Sequence, residues 1–309
     1  MRIVFMGSAV FSCPSLDALL ASPTDEVVGV VTQPDRPRGR DLRVAPCPVR
    51  EHLKSGTPVL TPESVNAPES VDGIRALRPD LVVVVAYGQL LGGDVLAIAA
   101  RGVVNVHASL LPRYRGAAPV QWAIARGERV TGATIMFLAR RMDAGDIILQ
   151  EALPIEDSDT GGTLHDKLAA AGAALLLRAV DLIRQGQAPR APQDETAATF
   201  APKLKKSDGR IAWSMSADEI RNRVRAFNPW PCATCEFPNG SGLLLRVMEA
   251  RVEEGRGRPG EIIRADDELV VAAGRRALRL LEVQPEGGKI MGGGAFLRGH
   301  RLKPGDMLG

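Results

Sequence analysis

The sequence is short of aromatics, of cysteine, of long apolar runs and of net charge, and each shortage excludes something. Phe, Tyr and Trp make up 4% of the 309 residues, while 32 Gly and 22 Pro supply turns and caps. That balance suits an enzyme with long loops rather than a fibrous or disordered chain. Four cysteines, Cys13, Cys47, Cys232 and Cys235, are too few in a chain of this length for a disulfide framework. Cys232 and Cys235 form a lone CxxC in PWPCATCEF, but with no His or second Cys pair nearby, one pair cannot close a tetrahedral metal site. No apolar run approaches the roughly 18 residues that span a bilayer, and MRIVFMGSAVF reads as a strand without an apolar leader or cleavage site. A cytoplasmic protein that does not engage a membrane is expected. Net charge is only +3, and the excess falls late, with 17 Lys+Arg against 14 Asp+Glu over residues 206–309. That is a mild hint of an anionic partner rather than a basic patch.

What is present is ordinary globular material, 45% apolar, enough for a core in each of two domains. Over the first 185 residues, short β-branched runs alternate with helical stretches, as in βαβ units that build a parallel sheet. The expected strands are RIVFMG, EVVGVVTQ, PVLT, DLVVVVAYG and GVVNVHA, followed by TGATIMFLA and DIILQEALPI. VVVV at 82–85 lacks alternation, which predicts a strand buried on both faces. A long helix, TLHDKLAAAGAALLLRAVDLIRQG, closes this part, its start capped by the DSDTGGT turn. Residues 187–206, rich in Pro, Ala and charge without periodicity, read as an extended linker. Beyond it a helix, SADEIRNRVRAF, leads into short strands separated by Gly-rich turns, which predicts a small β-barrel. The expected division is therefore an α/β domain over 1–186, a linker over 187–206 and a β-barrel domain over 207–309. Phe227, Pro229, Trp230 and Pro231 are expected to dock the helix on the barrel, and Trp122 to serve packing.

The stretch NVHASLLPRYRG, residues 105–116, sets an ionisable ring near the end of an otherwise buried strand. In open parallel sheets the site lies at the carboxyl ends of the strands. Asn105 and His107, two residues apart, point to the same side of the strand. Asp143, in the turn LARRMDAGD after the next strand, is expected to be brought alongside the histidine by a returning neighbour. Together the three suit acyl-type transfer to an amine. The amide donates to a developing oxyanion, the imidazole moves a proton or binds the same oxygen, and the carboxylate orients the ring. A covalent nucleophile is not required: Ser109 lies too near His107 for a triad serine, no GxSxG elbow is present, and Cys13 and Cys47 sit in proline-flanked loops. MGSAVF has a single glycine, so neither a dinucleotide fingerprint nor a P-loop is present. His52, His165 and His300 read as isolated residues, and no ligand cluster suggests a metal.

NVHASLLPRYRGAAPVQWAI together with MDAGDI resembles the folate-dependent formyltransferases. TQPDRPRGR, VVVVAYGQLL, LPRYRGAAP and RAFNPWP extend the likeness, in order, along the whole chain to the branch that formylates methionyl initiator tRNA. The resemblance implies a Rossmann-like catalytic domain joined to an OB-like barrel that binds tRNA, and a monomer. It implies Asn105, His107 and Asp143 as the catalytic trio, with no metal. It assigns 10-formyltetrahydrofolate to walls built from Ser109, Leu110, Leu111 and Pro112 and from Tyr87, Gln89, Leu90 and Leu91, a flat heterocycle needing apolar walls and backbone donors. The loop PDRPRGRDLRVAPCPV is implied to approach the tRNA acceptor end through Arg40, with Arg36, Arg38 and Arg43 as phosphate contacts and Lys203, Lys205 and Lys206 at the hinge. Two departures stand out. RMDAGD puts Arg141, Met142 and Ala144 where the family usually has GLDTGD, and Asp41 stands where relatives tend to carry glycine or a basic residue.

The nearest alternative is a formyltransferase of the same N-terminal design acting on an amino sugar nucleotide or glycinamide ribonucleotide. The arginine-rich loop and the barrel favour tRNA, because a small acceptor needs neither. A second alternative, of another class, is a non-catalytic RNA-binding protein whose Asn–His pair only packs.

Overall fold

The structure, a computed structural model, describes residues 1–38, 43–54, 56–237 and 242–309. Along the first half of the chain run β1 (Arg2–Gly7), α1 (Cys13–Leu20), β2 (Glu26–Val31), β3 (Arg36–Arg38), β4 (Arg43–Ala45), α2 (Pro48–His52) and β5 (Val59–Leu60). Next come α3 (Pro68–Ala76), β6 (Leu81–Val85), α4 (Gly93–Leu96), β7 (Val103–His107), β8 (Arg115–Gly116) and α5 (Pro119–Ala125). Then follow β9 (Val130–Phe137), β10 (Ile147–Pro154), α6 (Gly161–Gln185) and β11 (Phe200–Ala201). The last part holds α7 (Ala217–Ala226), β12 (Ala233–Phe237), β13 (Leu243–Glu253), β14 (Ile262–Ala265), β15 (Leu269–Ala272), β16 (Ala277–Pro285), β17 (Met291–Gly292) and α8 (Gly293–His300).

Two compact units divide the chain, interleaved in sequence. One comprises 1–116, 130–154 and 165–201, the other 117–129, 155–164 and 202–309. Residues 187–201, read above as linker, thus fall within the first unit, while 117–129 and 155–164, the latter including the start of α6, fall within the second.

The first unit is built on a seven-stranded sheet of order β10-β9-β7-β6-β1-β2-β5. β5, β2, β1, β6 and β7 are parallel, while β9 and β10 are antiparallel additions at one edge. All five residues of β6 are buried, as the unbroken valine run requires of a central strand. One face packs Val4, Met6, Val82, Val84 and Val103 against Val71, Ile74 and Val95 from α3 and α4. On the opposite face Gly172 of α6 comes so close to Val106 that an added Cβ would lie 2.8 Å from its Cγ1. Alternation then fixes the sides: Val104 and Val106 face α6, whereas Asn105 and His107 share the side of Val84 and Val103.

The second unit has a six-stranded antiparallel sheet of order β12-β13-β16-β15-β14, with β17 on β16. Its two edges are joined through the last residues. Ile262 N–H donates to Asp306 O and Leu308 N–H to Gly260 O, while Gly309 and Glu236 exchange both backbone bonds at 2.8 and 2.9 Å. The tail therefore carries the ladder from β14 to β12, which leaves less open edge to pair with another chain. α7 begins in a capping box, Ser216 Oγ accepting from Glu219 N and Glu219 Oε2 from Ser216 N. Phe227 is fully buried edge-on to Trp122, and Trp122 Nε1 donates to Pro202 O, so both serve packing. Trp230 departs from that expectation, being 51% exposed.

One ion pair in the first unit offers a test of stability. The Asp25 side chain is 1% exposed and accepts from Arg184 at 2.6 Å and from the Met1 amine at 3.0 Å. Burial alone would raise its carboxyl, but bonds from Arg184, the Met1 amine and Ser22 outweigh it and hold the pKa below the ordinary carboxylate range. A folded pKa below the unfolded one stabilises above the unfolded value and is lost as pH falls through the folded value. Asp25→Asn should cost about 1.5–3 kcal/mol at neutral pH, the range for a hydrogen bond to a charged group. In urea titrations the gap to wild type should narrow below about pH 4; a gap independent of pH contradicts the assignment.

Candidate active site

β7 pairs with β9 so that His107 lies opposite Thr134 and Val104 opposite Phe137. β9 therefore ends level with Val104, not with His107, and a returning strand alone does not deliver Asp143. The connection 138–146 doubles back instead, and Asp143 Oδ2 comes to 3.8 Å from His107 Nδ1. The ring's other nitrogen, Nε2, lies 3.0 Å from Tyr114 O. A carbonyl only accepts, so Nε2 carries the proton and Nδ1 faces the carboxylate. At 3.8 Å the pair is within ion-pair reach but beyond hydrogen-bond length.

Both partners of the ring stand on unusual backbone. Tyr114 has φ 60° and Asp143 φ 49°, the left-handed region that non-glycine residues seldom occupy. Such conformations persist when their surroundings over-determine them, and they cluster at functional sites. Tyr114 N–H donates to Thr199 Oγ1 at 2.8 Å, and Gly116 N–H donates to Asp143 Oδ2 at 2.8 Å. Two glycines make the approach possible. At Gly116, φ is 119° and a Cβ would lie 2.6 Å from Ala201 O; at Gly145, a Cβ would lie 1.8 Å from Phe137 O. His107 and Asp143 are nearly buried, with side chains 7% and 14% exposed. Asn105 is half-buried, and among the described residues its carboxamide has no hydrogen-bonding partner.

The loop after β7 is held from below by one hydroxyl. Thr134 Oγ1 donates to Ser109 O at 2.6 Å and accepts from Leu111 N at 3.2 Å and Gln150 Nε2 at 2.9 Å. Ser109 is fully buried, its Oγ closing the turn on Arg113 O, so its side chain is not a wall. Leu111 is 3% exposed, whereas Leu110 and Pro112 are partly exposed. On the loop after β6, Leu90 is 70% exposed and Leu91 partly so. Gln89 braces the neighbouring loop, accepting from Val65 N and donating to Glu63 O. The Tyr87 side chain lies in the core, its hydroxyl without a partner among the described residues and its pKa pushed up to about 12 by burial. Of the side chains expected as walls, Leu90, Leu91, Leu110 and Pro112 thus reach the surface as apolar groups.

Of the arginine-rich loop, Arg36 is exposed on the β3–β4 hairpin and lies 3.5 Å from Gln33 Oε1. Arg40 and Asp41 lie outside the described residues, as do the side chains of Arg38 and Arg43. Lys203, Lys205 and Lys206 are exposed in the second unit. Three polar residues not foreseen from sequence, Arg115, Gln193 and Glu195, stand against the Asp143 turn. Cys235 is buried, its thiol pushed up to about 12, while His52 and His165 line a separate cleft of about 520 Å³ with Cys13, Asp17 and Glu51. Among the described residues no group of three or more His, Cys, Asp or Glu is placed to hold a metal ion.

A parallel α/β sheet carrying a carboxamide, an imidazole and a carboxylate beside one strand, followed by an antiparallel sheet unit, defines the class as a two-unit α/β protein. The chain belongs to the formyl transferase family: the formyl transferase profile matches residues 1–180 and the formyl transferase C-terminal domain matches 203–301. It is 47% identical over 313 aligned positions to the methionyl-tRNA formyltransferase of Moorella thermoacetica, covering 100% of this chain and 99% of that one. Among solved structures it resembles HypX from Aquifex aeolicus in complex with tetrahydrofolic acid at 19% identity and a TM-score of 0.62, over 96% of this chain. The chain spans about half of HypX, 47% of its length. It also resembles the sugar 3N-formyl transferase WlaRD at 16% identity and a TM-score of 0.64, over 91% of this chain and 97% of that one. These two likenesses concern the fold alone.

Thr134→Val should destabilise the chain by about 1–3 kcal/mol, because Ser109 O and Leu111 N are left buried and unpaired. Thermal and urea denaturation measure this; wild-type stability would show that the hydroxyl does not hold the loop.

Proposed function

We propose that this chain transfers the formyl group of 10-formyltetrahydrofolate to the α-amino group of methionyl initiator tRNA. The observation that carries the reading is the pairing of an unpartnered Asn105 carboxamide with an imidazole whose Nδ1 faces Asp143, in a chain of the formyl transferase family. The folate supplies an acyl carbon on nitrogen. Leu90, strongly exposed, with Leu91, Leu110 and Pro112, offers the apolar surface a flat heterocycle would cover.

The neutral amine attacks the formyl carbon, forming the new C–N bond of a tetrahedral intermediate, from which the old C–N bond then breaks. The proton lost by the amine ends on the departing nitrogen. Asn105 Nδ2 donates to the developing oxyanion. Nε2 of His107 is occupied by Tyr114 O, so Nδ1 is the ring nitrogen left for the reacting group. Because Asp143 Oδ2 is 3.8 Å away, a proton on Nδ1 is attracted by the carboxylate without being locked onto it, and can be shared with the carbonyl oxygen. Asp143 also serves as the acceptor from which the amine proton is relayed.

The second unit and the exposed Lys203, Lys205 and Lys206, with Arg36 on the hairpin, are read as phosphate contacts, as is Arg40. An amino sugar nucleotide, with a single diphosphate, has fewer phosphates than these five side chains could engage.

Formyl transfer from isotopically labelled 10-formyltetrahydrofolate to methionyl-tRNA should be seen, with none to uncharged tRNA or to amino sugars. Asn105→Ala and His107→Ala should each lower turnover about 100 to 1,000-fold, the usual loss of a preorganised oxyanion donor. Activity within a few-fold of wild type overturns these roles. Affinity for methionyl-tRNA should fall by about 100-fold between roughly 50 and 200 mM salt if about four or five phosphates are neutralised. Alanine at the three lysines should flatten that dependence; a flat wild-type response removes nucleic acid from the account.

A further inference from the structure

Two carbonyls of the Asp143 turn are held by one side chain from far along the sequence. Gln193 Nε2 donates to Asp143 O at 2.9 Å and to Gly145 O at 2.8 Å. Its Oε1 accepts from Arg115 Nη2 at 2.7 Å and Nε at 3.1 Å. A flipped amide would turn an oxygen toward two carbonyls and an NH2 toward a guanidinium, so its orientation is determined by its neighbours. Arg115 is 2% exposed, the largest fully buried side chain of the described residues. Its charge is met by Glu195, whose oxygens take Nη2 at 3.0 Å and Nη1 at 3.1 Å. Glu195 also takes Arg141 at 2.6 Å, and the Arg115 and Arg141 guanidinium groups pull its carboxyl down to about 2. It therefore stays ionised at neutral pH, and the turn is gripped at Arg141, Asp143 and Gly145.

We propose that Gln193, fixed by the Arg115–Glu195 pair, is a positioning residue that holds the Asp143 backbone in its left-handed conformation and so aims the carboxylate at His107. The proposal rests on the catalytic part read above for Asp143. The side chain of Asp143 accepts from one backbone donor, Gly116 N, and its main chain sits at φ 49°. A non-glycine residue does not stay there unaided. Without the two Gln193 donors the turn loses the bonds to Asp143 O and Gly145 O, the φ of Asp143 relaxes, and the 3.8 Å separation from His107 Nδ1 opens. Arg141 adds an outer tie to Glu195.

The test is a double-variant cycle of Gln193→Met, which keeps the volume and removes the donors, with Asp143→Asn. Gln193→Met should lower kcat at least about tenfold while KM for 10-formyltetrahydrofolate and for methionyl-tRNA stays within about twofold. In the Asp143→Asn background the same change should alter kcat less than about twofold, since coupled residues are not additive. Gln193→Glu, which keeps the acceptor for Arg115 but not the donors, should behave like Gln193→Met. Equal losses in both backgrounds, a loss confined to KM or to melting temperature, or wild-type turnover in Gln193→Glu overturns the proposal. Wild-type enzyme without formyl transfer overturns the functional reading separately. In that case the ring ¹⁵N signal of His107 Nδ1 decides, because Gln193→Met should shift it as Asp143→Asn does and add nothing in the double variant. An Nδ1 signal unmoved by Gln193→Met then overturns the positioning role.

Discussion

A carboxylate held 3.8 Å from one imidazole nitrogen, while the other nitrogen is tied to a backbone carbonyl, is the constraint on which the rest of the site depends. Neither half of it is local. The carbonyl belongs to Tyr114 and the carboxylate to Asp143, and both residues occupy left-handed backbone that disfavours their side chains. Gly116 stands where no Cβ fits, which lets its N–H reach Asp143 Oδ2. Gly145 lets the turn close against Phe137 O. The two glycines in LPRYRG and MDAGD thus have one purpose, to bring two polypeptide segments close enough for a side-chain pair to meet.

The sheet explains why this happens beside β7. Strand order grows outward on both sides of β1, with β2 and β5 one way and β6 and β7 the other, which leaves a topological switch between β1 and β6. β7 is the last parallel strand before the antiparallel edge. Its alternation gives Val104 and Val106 to α6 and Asn105 and His107 to the opposite side. Thr134 on β9, opposite His107, then gives its hydroxyl to the SLLP loop, bonding Ser109 O and Leu111 N, and to Gln150 of β10, so the neighbouring antiparallel strand shapes the site without contributing a reacting group.

Much of this was legible in the residues alone. Valine runs and their spacing mark the parallel strands, and the i, i+2 placement of Asn105 and His107 marks a shared face. What was not legible depends on register and on distant contacts. The end of β9 lies level with Val104, so the arrival of Asp143 follows from the fold of 138–146 and not from strand return. The burial of Tyr87 and Ser109 cannot be told from a motif that treats a loop as a wall, because a pleated chain sends some of its side chains inward. Gln193 and Glu195 sit in an aperiodic Pro- and Ala-rich stretch that reads as linker, since nothing in its pattern names Arg115 as its partner 78 to 80 residues away. The joining of β14 to β12 by the last residues likewise leaves no periodic trace.

Ring ¹⁵N spectroscopy of His107, its signals assigned by their loss in His107→Gln, measures the central arrangement directly. The account predicts that Nε2 carries the proton, held on Tyr114 O, and that Nδ1 is the nitrogen whose signal moves when Asp143 is replaced by Asn. A neutral ring protonated at Nδ1 with a bare Nε2, or an Nδ1 indifferent to that replacement, would contradict it.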